Sequence, residues 1–274
     1  MVKKIIHLSD IHIRNVKRHD EYYETIGEFL KITREICSEY EFNEVRIVLC
    51  GDLLHQKITT SNEQSILLSW FFRELNTIAP TIVICGNHDF LENNVDRVDS
   101  ITPIIKMLCL ENIKYLDLDL GYKSGLIEDD NIVWCLYSIF EKYKSPDVGI
   151  QKIKTPDKKF IGLFHGAIVG STTDSTYMIE HGVKTDIFDG CDAVLCGDIH
   201  KRTELDYNGV KVVYPGSLIQ QNFGENVSKH GFLLWDVDDL EYEEYDIKND
   251  YGYYKFKISS ITDIENCSEE FVNF

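Results

Sequence analysis

Residues 3–12 read Lys-Lys-Ile-Ile-His-Leu-Ser-Asp-Ile-His. A run short enough for one buried strand, Lys3 to Leu8, leads into a carboxylate and an imidazole two residues apart, Asp10 and His12. The same arrangement returns twice. Val45 to Cys50 is a β-branched run followed by Gly51-Asp52, and Thr81 to Cys85, after the break at Pro80, is followed by Gly86-Asn87-His88-Asp89. Between these strands the apolar positions switch to helical spacing. They are Tyr23, Ile26, Phe29, Leu30, Ile36, Cys37 and Tyr40 in the stretch Asp20 to Tyr40, then Ile66, Leu67, Trp70, Phe71 and Leu75. Ser61-Asn62-Glu63-Gln64 is a capping box that opens the second helix. Alternation of strand and helix implies a parallel sheet with right-handed crossovers.

From Ile132 the connections shorten. Ile132 to Ile139, Phe160 to Phe164, Ala193 to Cys196, Val210 to Tyr214 and Phe232 to Asp236 read as strands, with Tyr253 to Ile258 as one more. The predicted fold is α/β, a four-layer αββα sandwich of two mixed sheets flanked by helices. Residues 1–238 form the main domain and 239–274 a C-terminal segment, of which Asp236 to Asp250 is acidic and weakly periodic.

Two of the later strands also end on metal-ligand chemistry, in His165-Gly166 and in Gly197-Asp198-Ile199-His200. Singly these pieces say little: Asp-x-His is common, and Gly-Asp is an ordinary turn. Together, five strand ends deliver Asp, Asn or His to the edge where open α/β sheets place their ligand sites. Carboxylate, imidazole and amide oxygen suit Mn²⁺, Mg²⁺, Fe or Zn²⁺ rather than a soft ion. Asp10, His12, Asp52, Asn87, His165, Asp198 and His200 exceed what one ion needs. Two ions ~3.5–4 Å apart, sharing a bridging carboxylate, would hold a phosphate between them and activate a water.

Composition bounds the rest. The net charge of −18 counts against a simple electrostatic binder of nucleic acid. Eight cysteines without a Cys-x-x-Cys spacing, several of them in apolar runs, read as buried reduced thiols of an intracellular protein, cytoplasmic or nucleoid-associated. No apolar leader with a cleavage site follows Met1, and no apolar stretch is long enough to span a bilayer.

The order Asp-x-His, Gly-Asp, Gly-Asn-His-Asp, lone His and Gly-x-x-His resembles the calcineurin-like metallophosphoesterases. Carried over position by position, the resemblance implies that Asp10, His12, Asp52 and His200 hold the first ion. Asp52, Asn87, His165 and residue 198 would hold the second, so that Asp52 bridges. It also implies that His88 is the general acid or transition-state stabiliser, with Asp89 orienting it. Position 198 departs from the pattern: the family has His, and this chain has Asp198. The flanking segments resemble the SbcD (meiotic recombination eleven) DNA-repair nucleases. They are Asp10 to Arg14 with Arg18-His19-Asp20-Glu21-Tyr22, Asn93-Asn94 with Arg97, and Tyr214-Pro215-Gly216-Ser217 through Gln220, Gln221, Phe223, Gly224 and Glu225 to His230-Gly231-Phe232. That branch implies manganese-dependent 3′-to-5′ exonuclease and single-strand endonuclease activity, a homodimer, an SbcC-type SMC-like ATPase partner, and a capping domain of which residues 239–274 hold only the start.

Arg14, Lys17, Arg18, Lys57, Arg97, Lys201 and Arg202 gather beside the motifs and are candidates for holding DNA phosphates, ordinary solvated surface being the other reading; His55 is a candidate to face the substrate, with a surface or supporting role as the alternative. His7, His19, His181 and His230 read as structural or surface residues. Trp70-Phe71-Phe72 reads as core packing on two sides of a helix, with a helix-mediated dimer as the other reading. Rival functions are a phosphomonoesterase or cyclic-nucleotide phosphodiesterase on the same metal core, and a catalytically weak scaffold.

Overall fold

The computed structural model describes residues 1–57, 59–141, 150, 154–172, 178–254 and 258–262. The parallel core of the first sheet is β1 (Lys4–Leu8), β2 (Val45–Cys50), β3 (Thr81–Ile84) and β4 (Ile113–Tyr115). The second sheet takes β5 (Gly125–Asp129), β6 (Ile132–Tyr137), β7 (Lys159–His165), β8 (Ala193–Gly197), β9 (Thr203–Tyr207) and β10 (Val210–Tyr214), ordered β5-β6-β7-β8-β10-β9. Its four inner strands are parallel and both edges antiparallel. The chain then returns to the first sheet: β11 (Gly231–Asp236) pairs antiparallel with β1, and β12 (Tyr242–Asp246) pairs antiparallel with β11. The result is the predicted pair of mixed sheets flanked by helices.

Strand alternation sorts the apolar side chains into layers. Ile6 and Leu8 of β1 face α1 (His19–Cys37) and α2 (Asn62–Ile78), where they join Phe29, Leu67 and Phe71. Ile5 points the other way, into the layer between the sheets, with Val48, Cys50, Trp134, Leu163 and Leu195. The outer face of the second sheet buries Val133, Phe160 and Phe164 against Phe188 and Ile168. Each such side chain, taken fully out of water, contributes about 1.5–3 kcal/mol.

The capping box forms as read: Gln64 N–H donates to Ser61 Oγ and Ser61 N–H to Gln64 Oε1, each at 3.1 Å. Phe71 and Phe72 are fully buried, and Trp70 packs on Tyr23 of α1 with ring centroids 5.2 Å apart. That is the core reading of the aromatic run.

The C-terminal segment contains a strand that its pattern did not announce. Positions 255–257 of the expected strand Tyr253 to Ile258 fall outside the described residues, and Tyr253 and Tyr254 are not in a strand. The acidic stretch instead forms β12, with Tyr242 packing on Trp235 and Tyr245 stacking on Phe232. An edge strand tolerates carboxylates on its open side, where they also discourage further pairing. After β12 the chain folds back over the molecule. Gln220 accepts the Tyr253 N–H at 2.6 Å and donates to its carbonyl at 3.2 Å. Among the described residues the cysteines are free thiols, and no helix is long and apolar enough to cross a membrane.

Candidate metal centre

The five motif-bearing strand ends meet at one edge of the paired sheets. Gly197 sits so close to β2 that a Cβ there would fall 2.1 Å from the Cys50 carbonyl oxygen. The turns that follow the strands are tight. Asp10, His12, Asp52 and Asp198 all have positive φ, at 54°, 53°, 54° and 99°. Non-glycine residues occupy that region at a cost of ~1–3 kcal/mol each, and such cost collects where side chains must be aimed.

The side chains converge. His12 Nε2 lies 3.0 Å from His200 Nε2, 3.4 Å from Asp52 Oδ2 and 3.8 Å from Asp10 Oδ1. His200 Nε2 is 3.8 Å from the same Asp10 oxygen. On the other side, His165 Nε2 lies 3.4 Å from Asp52 Oδ1 and 4.0 Å from Asp198 Oδ1. Asp52 thus turns one oxygen to each group, and Asp10 stands within ligand-sharing distance of both. Asp198 N–H donates to the Asp10 carboxylate at 3.0 and 3.2 Å, tying the two ends together.

These residues fit divalent ions. Two imidazole nitrogens 3.0 Å apart require a proton or a cation between their lone pairs. Among the described residues, Asn87 Oδ1 and His165 Nε2 are buried without a hydrogen-bond partner, which is costly unless something else satisfies them. The His165 ring donates Nδ1–H to the Cys50 carbonyl at 2.7 Å, and His200 Nδ1 meets Glu225 Oε1 at 2.8 Å, so each ring is fixed with Nε2 facing inward. Electrostatics agree. Burial pushes the Asp10 carboxyl up to about 6 against the pull of His200 and His165. Asp52, though buried, is held below the usual carboxylate range by His165 and His12. Burial opposes charge on His200, but the Glu225 bond and the Asp10 carboxylate outweigh it and push its pKa up to about 9.

His88 stands at the mouth. Its ring meets His12 edge-on at 4.8 Å and stacks with His55 at 5.4 Å, and its Nδ1–H donates to the His55 carbonyl at 2.7 Å. Asp89 is placed otherwise than the resemblance implied. Its buried carboxylate accepts the backbone N–H groups of Leu53, Leu54 and Gly86 at 3.3, 3.0 and 3.0 Å, while the His55 carbonyl holds the His88 ring. Asp89 therefore clamps the turn after β2 to the turn after β3. Burial and the Asp52 charge push its pKa up to about 8.

The candidate phosphate contacts divide. Arg14 lies at the site, 3.2 Å from His55 Nε2 and 3.0 Å from the Gln221 carbonyl. Burial pushes the pKa of His55 down to about 4, helped by Arg14 and His88, so the ring is neutral at physiological pH. Lys17 and Arg97 are exposed; Arg97 and Lys57 line a cavity of about 260 Å³ with Leu91, Val98 and Ile104. Lys201 is half-buried near Thr172. Arg18 is not available: it ion-pairs with Glu21, donates to the Gln220 carbonyl at 2.9 Å and lies over the Tyr253 ring at 4.9 Å. Lys57 pairs with Glu92, and Arg202 with Glu244 and Asp246. His7, His19 and His230 bond to backbone carbonyls, and His181 is exposed. Glu225 is the contributor that residue reading passed over. It lies in the stretch that resembles the SbcD nucleases, and no local pattern ties it to His200.

Residues 4–240 match the model of the calcineurin-like phosphoesterase superfamily domain. The chain is 40% identical over 263 residues to "Uncharacterized protein R555" of Acanthamoeba polyphaga mimivirus, covering 94% of this chain and 19% of that protein. It is 25% identical to "Putative phosphoesterase 244L" of Invertebrate iridescent virus 6, covering 88% of this chain and 79% of that one. A solved structure described as a "Novel Archaeal Phosphodiesterase" aligns over 89% of this chain and 99% of its own, at 15% identity and a TM-score of 0.42. This chain therefore spans about a fifth of the length of the R555 protein.

Proposed function

The chain belongs to the calcineurin-like phosphoesterase superfamily, and from that premise we propose that it is a two-metal hydrolase of phosphodiester bonds in DNA. The carrying observation is the convergence of five strand ends, with Asp52 turning one oxygen to the His12–His200 group and the other to His165. Divalent ions bound there supply Lewis acidity to the phosphate and a nucleophile at neutral pH. Asp10, His12, Asp52 and His200 would hold one, and Asp52, Asn87, His165 and Asp198 the other, with Mn²⁺ or Mg²⁺ favoured by the three carboxylates.

The protein's own groups do the rest. His88 keeps its Nδ1–H on the His55 carbonyl in both protonation states, so its ring holds orientation while Nε2 gives a proton to the departing oxygen or bonds the phosphate. Arg14, which donates to His55 Nε2 at 3.2 Å, stands beside it as the donor for phosphate oxygens, and the His55 ring stacks on His88. Asp89 keeps the turns carrying Asp52 and Asn87 in register.

The choice of DNA rests on the SbcD-like segments around the motifs, which include Arg14, Arg97 and the Gln220–Glu225 loop. The same resemblance supports exonuclease action on duplex ends, endonuclease action on single strands, a homodimer and an SbcC-type ATPase partner. With a net charge of −18, binding to DNA alone is weak and salt-sensitive.

The test is incubation in Mn²⁺ with labelled duplex and single-stranded DNA, para-nitrophenyl phosphate and a cyclic nucleotide. DNA cleavage is expected. His88→Ala should lower it roughly 10²–10⁴-fold with the bound-metal content unchanged. Turnover of the small esters with DNA left intact would overturn the nuclease reading; full cleavage by His88→Ala would overturn the role of His88.

A further inference from the structure

The loop between β10 and β11 carries a carboxylate that the site chemistry leaves unexplained. Glu225 retains only 6% of its side-chain exposure, and among the described residues its ion-pair partner is an imidazole rather than a Lys or Arg. Both of its oxygens are occupied. Oε1 takes His200 Nδ1 at 2.8 Å and Asn222 Nδ2 at 2.6 Å, and Oε2 takes the Gln221 N–H at 2.6 Å. The Glu225 carbonyl accepts Gln220 Nε2 at 3.0 Å, and Gln220 is itself paired to the Tyr253 backbone. A desolvated carboxylate costs stability in a chain already at −18 unless it is paired, and the His200 ring is its pair. Loop order alone does not need that charge. The His200 ring does: with Nδ1–H on Glu225, Nε2 is the nitrogen that faces His12 Nε2 and Asp10.

We propose that Glu225 is a positioning residue for metal binding, fixing the tautomer and orientation in which His200 offers Nε2 to the ion shared with His12 and Asp10. The proposal rests on the two-ion reading above. Outer carboxylates of this kind change metal affinity by ~10–100-fold. The geometry makes that loss selective, because Glu225 touches a ligand of one ion only.

The experiment is a Mn²⁺ titration of the chelator-treated full chain, read by the electron paramagnetic resonance of free Mn²⁺, alongside nitrogen NMR of the imidazoles in the Mg²⁺-loaded state. Wild type should bind two ions, with His200 protonated at Nδ1. Glu225→Ala should weaken one ion by ~10–100-fold and leave the other in place. Glu225→Gln, which keeps an acceptor oxygen without the charge, should lose less. Asn222→Ala removes a bond to the same carboxylate without touching the ring, and should bind both ions as wild type does. Two ions at wild-type affinity in Glu225→Ala would overturn this proposal and leave the two-ion reading standing. Equal losses in Asn222→Ala and Glu225→Ala would overturn it in favour of loop order. A wild type that binds fewer than two ions would overturn the parent reading and this proposal with it.

Discussion

Asp198 shows how much one side chain sets the character of the site. It sits in the turn after β8 at φ 99°, its N–H bonded to Asp10 and its carboxylate 4.0 Å from His165 Nε2. Burial pushes its pKa up, against the pull of His165, so an ion beside it would relieve a desolvated group. A third carboxylate beside Asp10 and Asp52 hardens the ligand set toward Mn²⁺ and Mg²⁺. Asp198→His should therefore raise Zn²⁺ affinity relative to Mn²⁺ by about tenfold or more. Competition binding at equal metal activities measures the ratio; an unchanged ratio would mean that Asp198 does not ligate. The substitution also places a bulkier ring in the left-handed region, at about 1 kcal/mol. Ligand residues such as Asp198 were legible because each ends its own strand or follows it within four positions. The partner of His200 was not: Glu225 lies 25 residues away and meets it only when the β10–β11 loop closes.

At the scale of elements, the strand-to-turn junctions allow no side-chain atom. A Cβ on Gly86 would lie 2.2 Å from both the amide nitrogen and Oδ1 of Asp52. Gly86→Ala should displace the turn after β2, abolish divalent-ion binding and destabilise the protein by several kcal/mol, within the tail of large point-mutation effects. Gly27 provides the contrast. It lies within α1 and a Cβ there would meet nothing within 4 Å, so Gly27→Ala should stabilise by ~0.5–1 kcal/mol. Urea unfolding of both variants tests the pair, and a Gly86→Ala protein of wild-type stability would contradict the geometry. Elements with strong local signals were readable: Ser61 and Gln64 form their capping box through bonds three residues apart. The short edge strands β4, β5, β9 and β12 were not foreseen. β4 has only three residues, and the other three are partly or largely exposed, so a run such as Tyr-Glu-Glu-Tyr-Asp in β12, which has no period of two, looks like a solvated tail until Tyr242 and Tyr245 find Trp235 and Phe232.

For the whole molecule, the question is what joins the two sheets beside apolar packing. Asp117, in the short helix Leu116–Asp119, is one such joint. Its carboxylate accepts the Cys85 N–H at the end of β3, at 2.8 Å, and the Ser138 hydroxyl just after β6, at 2.5 Å. That pairing of sheets follows from the chain returning through β11 to lie beside β1, an order that strand periodicity does not contain. Asp117 is 1% exposed, and burial pushes its pKa from 3.8 up to about 6 although both hydrogen bonds pull it down. A carboxyl whose folded pKa lies above its unfolded value favours folding in its protonated form. Its contribution is complete below about pH 4 and is lost as pH rises through about 6. The difference is about 3 kcal/mol between the two limits. Asp117→Asn keeps the shape and an acceptor but cannot ionise, so it should remove that share of the pH dependence. Unfolding free energies of the metal-free protein at pH 4 and pH 8 measure it: moving to pH 8 should cost the variant about 3 kcal/mol less than it costs the wild type. The same difference in both proteins would mean that Asp117 is ionised between the sheets at both pH values, with Ser138 and the Cys85 amide outweighing its burial.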